Sequence, residues 1–189
     1  MSREEPRPDD VSRGEPRPEK VTRVRDELAG LERAAVDASS IIYMLKAGFF
    51  GYVAAELTLY TVGPVAREVG WPELPVRIAD LRRGGEVPWT PETIDVAEAF
   101  VGRGKHGNDE LLLELGAARG LPVVSEDRRV HERAEELGLA HYNAPLMLAL
   151  ASARGRIDED ARAEYFAELS RIGRYGTGVL AFARAVIGG

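Results

Sequence analysis

Short apolar runs alternate with segments of helical periodicity along most of the chain. The runs typical of buried strands cover residues 34–36, 57–62, 87–89, 122–125 and 139–142. Apolar residues three or four positions apart predict helices over residues 41–48, 49–57, 90–100, 128–137, 144–153, 158–172 and 176–187. Strands and helices that alternate in this way predict an α/β protein in which helices cover both faces of a mostly parallel sheet.

The N-terminal residues carry charge and proline instead of this pattern. A near-repeat, SREEPRPDDV followed by SRGEPRPEKV, covers residues 2–21 and has almost no apolar side chain. We therefore expect a charged, proline-rich tail over residues 1–33 that is disordered at least to residue 22, with one domain over residues 34–189. A short helix near residues 26–32 is compatible with the sequence. The tail is either a solubilising leader or a docking segment for a partner.

The most informative stretch is Gly107–Arg129, GNDELLLELGAARGLPVVSEDRR. Asn108 is a good helix N-cap, Asp109 then falls in the first turn, and Gly120 can end the helix. A helix of about eleven residues covers roughly 16 Å, and a strand of about four residues returns roughly 13 Å. Because these lengths nearly cancel, Asp109 and Asp127 are predicted to lie near one another at one edge of the sheet.

Two further acids are expected at the same edge. Asp37 follows the first strand directly, and Glu68 lies about one turn inside the helix after the second strand. Ligands of parallel sheets gather beyond the carboxyl ends of the strands, where these acids and Asp109 and Asp127 would project. Carboxylates brought together repel one another unless a cation lies between them, and oxygen ligands of this kind suit Mg²⁺ or Mn²⁺. Two such ions can activate a water and stabilise the leaving oxygen when a phosphodiester is hydrolysed.

Four segments carry a family resemblance: VDASSIIYMLKAG, TVGPVAREV, GNDELLLELGAARGLPVVSEDRRV and AEELGLAHYNAPLMLALASARGRI. In order and spacing they resemble the PIN-domain nucleases, including the VapC-type toxins, over about Ala34–Ile172. The resemblance implies a three-layer α/β/α sandwich and Mg²⁺- or Mn²⁺-dependent hydrolysis of single-stranded or structured RNA. It also implies that Asp37, Glu68, Asp109 and Asp127 are the catalytic, metal-binding quartet.

Polar residues beside these acids are candidates for orienting them. Ser39 and Ser125 are expected to hydrogen-bond the neighbouring carboxylates or a metal-bound water, and Asn108 lies next to Asp109. By resemblance, Ser125 matches the small hydroxyl residue before the last acid. Glu126 stands where the family more often has Asp or Asn, so the sequence leaves open whether Glu126 or the residue after it faces the metal.

Two basic clusters are candidates for substrate binding: Arg103, Lys105 and His106 in a loop, and Arg128, Arg129 and Arg133 on a helix. The first either grips an RNA phosphate or is a polar connector. The second either binds the RNA backbone or belongs to an exposed helical face. Local clusters of this kind would steer RNA toward a protein whose net charge is −6.

Composition excludes several classes. The chain has no cysteine, so disulfides and thiolate chemistry are absent. A charge of −6, from 25 basic and 31 acidic residues, argues against coating nucleic acid through bulk charge. No window is apolar enough for a membrane span, and the start is unlike a signal peptide, so no membrane partner and a cytoplasmic location are expected. A zinc-protease H-E-x-x-H motif fails because Glu135 replaces the second histidine.

The leading hypothesis is a Mg²⁺- or Mn²⁺-dependent endoribonuclease. Asp37, Asp109 and Asp127 would bind the catalytic ion, and Glu68 would hold a second ion or position the attacking water. One alternative is a PIN-like module that binds RNA or a protein partner without cutting. Another is a toxin silenced by an antitoxin protein, and the resemblance also suggests a homodimer.

Overall fold

The computed structural model describes residues 16–62, 65, 68–69, 94–96, 107–173 and 175–188. It contains one sheet in which all neighbouring strands are parallel, in the order β3-β2-β1-β4-β5. The strands are β1 Arg33–Val36, β2 Thr58–Thr61, β3 Ile94–Val96, β4 Val123–Val124 and β5 His141–Tyr142. The helices within these ranges are α1 Pro18–Ala29, α2 Ala38–Ala47, α3 Phe50–Glu56, α4 Asn108–Arg119, α5 Arg128–Glu136, α6 Ala144–Ala153, α7 Glu159–Ile172 and α8 Thr177–Ile187.

The central strand β1 fixes the register of the sheet. Ala35 pairs with Tyr60 on one side and with Val123 on the other. The last three residues of β1 and both residues of β4 are buried, as expected when helices cover both faces of a parallel sheet. The predicted α/β class with a parallel sheet is therefore confirmed, and the arrangement is consistent with three layers.

The helices form two packed groups. Helix α4 contacts β1, β4 and α5, while α1, α2, α3, α6, α7 and α8 contact one another. Every residue of α6 from Ala144 to Ala151 is buried, which is typical of a helix inside a core. Gly116 lets α4 approach the sheet closely, because a Cβ there would lie 3.0 Å from Cγ2 of Val123.

The expected tail is wrong for residues 18–33. Helix α1 begins at Pro18, and its Val21, Val24 and Leu28 belong to the main core. Arg25 fixes the helix further by donating from Nε and Nη2 to the backbone carbonyls at the end of α8. The physical reason is the spacing of the three apolar residues, which gives one helical stripe inside a strongly charged segment. Residues 1–15 lie outside the described residues.

Leu28 gives a direct test of this packing. Its side chain is 3% exposed, so Leu28→Ala should lower the free energy of unfolding by about 2–4 kcal/mol through lost burial and the cavity left behind. Thr22 is exposed on the same helix, and Thr22→Ala should change that free energy by about 0.5 kcal/mol or less. Chemical denaturation of both variants measures the difference. Equal effects would contradict a packed α1.

The predicted helix over residues 90–100 is also wrong where the structure describes it. Residues 94–96 form β3, which pairs in parallel with β2 so that Leu59 lies opposite Ile94. The β-branched residues Ile94 and Val96, one on each side of Asp95, favour an extended strand over a helix. The strand predicted at residues 87–89 lies outside the described residues.

In the described ranges no single helix is long and apolar enough to cross a bilayer. Together, α2 and α3 have the length and apolar composition of a membrane span, but they are bent by 119° at the break between them. Most of their apolar residues belong to the core or pack against it.

Candidate active site at the carboxyl edge of the sheet

The carboxyl ends of β1 and β4 bring two loops together. The backbone N–H of Asp37, directly after β1, donates to the carbonyl of Val124 at 3.0 Å. The N–H of Ser125, directly after β4, donates to the carbonyl of Tyr142 at 3.0 Å. The parallel ladder thus places Asp37 beside the 125–127 loop, although 88 residues separate Asp37 from Ser125.

Asp37 is held rigidly at this edge. The residue is 6% exposed and is the N-cap of α2, where Oδ1 accepts the N–H of Ser40 at 2.6 Å. Oδ2 accepts hydrogen bonds from the hydroxyls of Ser39 at 2.8 Å and Ser125 at 2.6 Å. The structure thus places both serines on Asp37. Because a carboxylate has about four acceptor positions, these three bonds fix its orientation and leave limited capacity for a further ligand.

Ser125 also anchors the loop that follows β4. Its hydroxyl accepts the N–H of Asp127 at 3.1 Å while donating to Asp37. Its carbonyl accepts a hydrogen bond from Nε2 of His131 at 2.7 Å. Burial lowers the pKa of His131, and the neighbouring His141 ring lowers it further. A neutral His131 can hold the loop without adding positive charge to the site.

Asp127 and Asp109 are more accessible than Asp37. Both residues are exposed, and Asp127 is the N-cap of α5, where Oδ1 accepts the N–H of Arg129 at 2.7 Å. Asp109 lies in the first turn of α4, as predicted. The N-cap of α4 is Gly107 rather than Asn108, since Glu110 at the third helical position accepts the N–H of Gly107.

Asn108 is therefore free of the capping role that the sequence suggested, and it contacts another acid. Its Nδ2 donates to Oε2 of Glu68 at 3.3 Å, across 40 residues of sequence. This bond links the start of α4 to the helical segment after β2. It places Glu68 within reach of the same edge of the sheet.

The electrostatics of Asp109 show that the acids approach one another. Partial burial of the carboxyl raises its pKa, and the charges of Asp127, Asp37 and Glu68 raise it further, in that order. Glu110 adds a smaller contribution of the same sign. Among the described residues, the four neighbouring groups whose charges act on this pKa are acidic. The edge of the sheet therefore carries concentrated negative charge drawn from residues 37–127.

The hydrogen bonds of Glu126 come from other elements of the protein and not from the neighbouring acids. Its Oε1 accepts hydrogen bonds from the hydroxyl of Ser40 at 3.0 Å and the N–H of Ala144 at 2.7 Å. Its Oε2 accepts the hydroxyl of Tyr175 at 2.6 Å. Burial raises the pKa of Glu126 to about 7 in spite of these hydrogen bonds. Of the two adjacent acids, Asp127 acts on Asp109 and Glu126 is bonded inward.

Tyr175 is a further residue beside the site, since its hydroxyl donates to Glu126. Tyr175 lies in the short connection between α7 and α8, 49 residues after Glu126. No local pattern marks it, because its neighbours in the sequence are glycines and an arginine that suit any loop. Only the packing of the last two helices brings its hydroxyl to Glu126.

The basic candidates are only partly described. The Arg103, Lys105 and His106 loop lies outside the described residues. Arg128, Arg129 and Arg133 are exposed on α5, but Arg128 donates to Glu132 and Arg133 to Glu136. Exposed ion pairs of this kind contribute little to stability. Arg128 and Arg133 could therefore leave their glutamates and bind an RNA phosphate at little cost in free energy.

The donor types at this edge suit a hard divalent cation, but the side-chain positions do not yet enclose one. Among the described residues, no three acidic or histidine side chains are close enough together to hold a metal ion. Asp37 is buried and fixed, whereas Asp109 and Asp127 are exposed, and turning Asp127 would cost its cap hydrogen bond from the N–H of Arg129. A bound ion would require these two side chains to turn toward Asp37.

Comparisons with models of known protein families, with curated proteins and with solved structures found no match for the chain. An assignment of function therefore depends on the residues and geometry of the site.

Proposed function

We propose that this protein is a Mg²⁺- or Mn²⁺-dependent endoribonuclease with a PIN-like α/β/α fold. The observation that carries the proposal is the hydrogen bond of 2.6 Å from the hydroxyl of Ser125 to Asp37, which joins the first acid to the loop that ends in Asp127. The pKa of Asp109 supports it, because partial burial raises that pKa and the charges of Asp127, Asp37 and Glu68 raise it further. Asp37 and Asp127 each cap a helix, but these local roles do not require the acids to converge at one edge of the sheet. Such convergence costs electrostatic free energy unless a cation or substrate uses it.

One of the four acids is buried and tightly held, and the other three are exposed. Asp37 is oriented by Ser39, Ser40 and Ser125, so it supplies a rigid reference point. The proposed role of Asp109 and Asp127 is to rotate toward it and complete the ligand set. Glu68, held by Asn108, is proposed to bind a second ion or to orient the attacking water.

A divalent cation bound among these carboxylates would activate a water and stabilise the oxygen that leaves the phosphodiester. The polypeptide supplies the surroundings for that chemistry. The hydrogen bonds to Asp37 prevent it from turning away, and the ladder between β1 and β4 keeps the 125–127 loop in place. The arginines of α5 and the proposed loop at residues 103–106 would offset the repulsion between RNA phosphates and the acidic edge.

The proposal is tested by incubating the purified protein with single-stranded and hairpin RNAs in Mn²⁺, in Mg²⁺ and in EDTA. We expect cleavage with either ion and none in EDTA. A mock preparation from cells without the gene controls for contaminating ribonucleases. Binding of RNA without cleavage under all conditions would instead favour the non-cutting module, and neither binding nor cleavage would refute both.

A further inference from the structure

One half-buried carboxylate joins three separate parts of the chain beside the acidic edge. Glu126 accepts hydrogen bonds from the first turn of α2 through Ser40, from the start of α6 through the N–H of Ala144, and from the hydroxyl of Tyr175 before α8. The partners lie 86, 18 and 49 residues away in the sequence. Glu126 is therefore a connection between distant elements rather than a surface acid.

This connection continues to the site. Ser40 donates its hydroxyl to Glu126 and its backbone N–H to Oδ1 of Asp37, at 2.6 Å. Glu126 also lies between Ser125, which bonds Oδ2 of Asp37, and Asp127. A displacement of the Glu126 side chain would consequently move Asp37 through Ser40 and through Ser125. It would also move Asp127 through the backbone.

Tyr175 fixes the far end of Glu126. Its ring packs edge-on against Tyr43 of α2, with the ring centroids 6.1 Å apart. Burial and the charge of Glu126 raise the pKa of Tyr175, so the phenol stays protonated and donates its hydrogen. Donor and acceptor are thus matched at 2.6 Å, a distance typical of a strong bond to a carboxylate.

We propose that Tyr175, acting through Glu126, is a positioning residue that holds Asp37 and the 125–127 loop in the arrangement needed for catalysis. The catalytic part of this inference rests on the proposed nuclease function. Glu126 is assigned to positioning and not to metal binding, because its partners belong to α2, α6 and the connection before α8, whereas the adjacent Asp127 is exposed and acts on Asp109. The C-terminal segment thereby becomes part of the acidic site without touching the substrate.

The chain offers a matched pair of variants for the test. Tyr175→Phe removes the hydroxyl that donates to Glu126, and Tyr142→Phe removes a hydroxyl that donates to Glu27 on α1 at 3.3 Å. The pKa of Tyr142 is raised by burial and by Glu27, so the charges that act on its hydroxyl belong to α1 and not to the acidic edge. Both substitutions cost one Tyr–Glu hydrogen bond.

The first readout needs neither metal nor RNA. Amide hydrogen exchange of Ser40 should become about tenfold faster in Tyr175→Phe, the change expected from weakening about one hydrogen bond. Tyr142→Phe should leave that exchange rate unchanged. Equal exchange at Ser40 in parent, Tyr175→Phe and Tyr142→Phe would overturn the positioning inference, whether or not the protein cleaves RNA.

The second readout separates positioning from binding. With RNA and Mn²⁺, Tyr175→Phe should lower kcat about tenfold or more while KM stays within about twofold, as for other groups that orient metal ligands. Glu126→Gln, which keeps an acceptor oxygen, should retain much more of kcat than Glu126→Ala. Equal losses in the glutamine and alanine variants, or equal kcat in the two tyrosine variants, would overturn the inference.

The two readouts distinguish the possible failures. A parent protein that does not cleave RNA refutes the proposed function, and the exchange of Ser40 then decides alone whether Tyr175 positions Asp37. A parent that cleaves RNA, with no difference between the two tyrosine variants, refutes the positioning role and leaves the nuclease proposal intact.

Discussion

Asp109→Asn should reduce Mn²⁺-stimulated RNA cleavage roughly 100-fold or more, because it removes a proposed ligand of the metal ion. The fold should survive, since Asp109 is exposed and in the first turn of a helix. Asparagine is nearly the same size as aspartate and is tolerated at that place. Single-turnover cleavage of a defined RNA measures the loss.

The same substitution has an opposite effect on the metal-free protein. Partial burial raises the pKa of Asp109, and the charges of Asp127, Asp37 and Glu68 raise it further, so ionising this carboxyl costs more free energy in the folded protein than in the unfolded chain. Asparagine resembles the neutral form and relieves that repulsion. In EDTA at pH 7 the melting temperature of Asp109→Asn should therefore be no lower than that of the parent. Mn²⁺ should raise the melting temperature of the parent and not that of the variant.

Asp160→Asn is a close control for Asp109→Asn. Asp160 occupies the same position in the first turn of α7 that Asp109 occupies in α4, and it is exposed. It should leave both cleavage and the stabilisation by Mn²⁺ unchanged. If Asp109→Asn cleaves RNA as fast as Asp160→Asn, then Asp109 is not a ligand of the catalytic ion.

Glu126→Gln should change the pH dependence of stability more than any other single conservative substitution at this edge. Burial raises the pKa of Glu126 from 4.5 to about 7, so the folded protein holds a proton between these values that the unfolded chain has lost. The resulting stability is fully present below about pH 4.5 and is lost as the pH rises through about 7. At about 1.4 kcal/mol per pKa unit, the shift corresponds to roughly 3 kcal/mol.

Glutamine cannot ionise, so this dependence should vanish in the variant. We expect the unfolding free energy of Glu126→Gln, minus that of the parent, to rise by up to roughly 3 kcal/mol from pH 4.5 to pH 8. Denaturant melts at several pH values measure that difference. Other titrating groups, such as Asp109 and His131, are present in both proteins and largely cancel.

Glu132→Gln provides the reference for this comparison. Glu132 is exposed and pairs with Arg128 on α5, so its neutralisation should leave the pH profile of the parent nearly unchanged. A difference curve for Glu126→Gln that is flat from pH 4.5 to pH 8 would show that Glu126 titrates normally. The carboxylate would then be more hydrated than its hydrogen bonds indicate.

Residues Gly107–Arg129 show how much of the structure the sequence determines when the signals are local. The predicted helix from Asn108 ends at Gly120, which adopts the left-handed conformation with φ of 61°. The predicted and observed limits of α6 coincide at Ala144 and Ala153. Apolar spacing, caps and glycines act over a few residues, so each can be evaluated without the rest of the chain.

The same local reasoning failed where two signals conflicted. The charge and proline content of the first 33 residues concealed the stripe of Val21, Val24 and Leu28 that packs α1 into the core. At residues 94–96, the helical spacing that predicted a helix over residues 90–100 conflicted with the β-branched residues that form β3. Composition averages over a window, whereas burial depends on a few positions in it.

By itself, the sequence determined the α/β class, most of the helix and strand limits, and which acids follow strands or begin helices. The tertiary structure alone decided which of the adjacent residues Glu126 and Asp127 turns inward, and that Tyr175 meets Glu126. The physical reason is range. Helix and strand periods are set by neighbouring residues, while a side chain's partner 49 residues away depends on how whole helices pack.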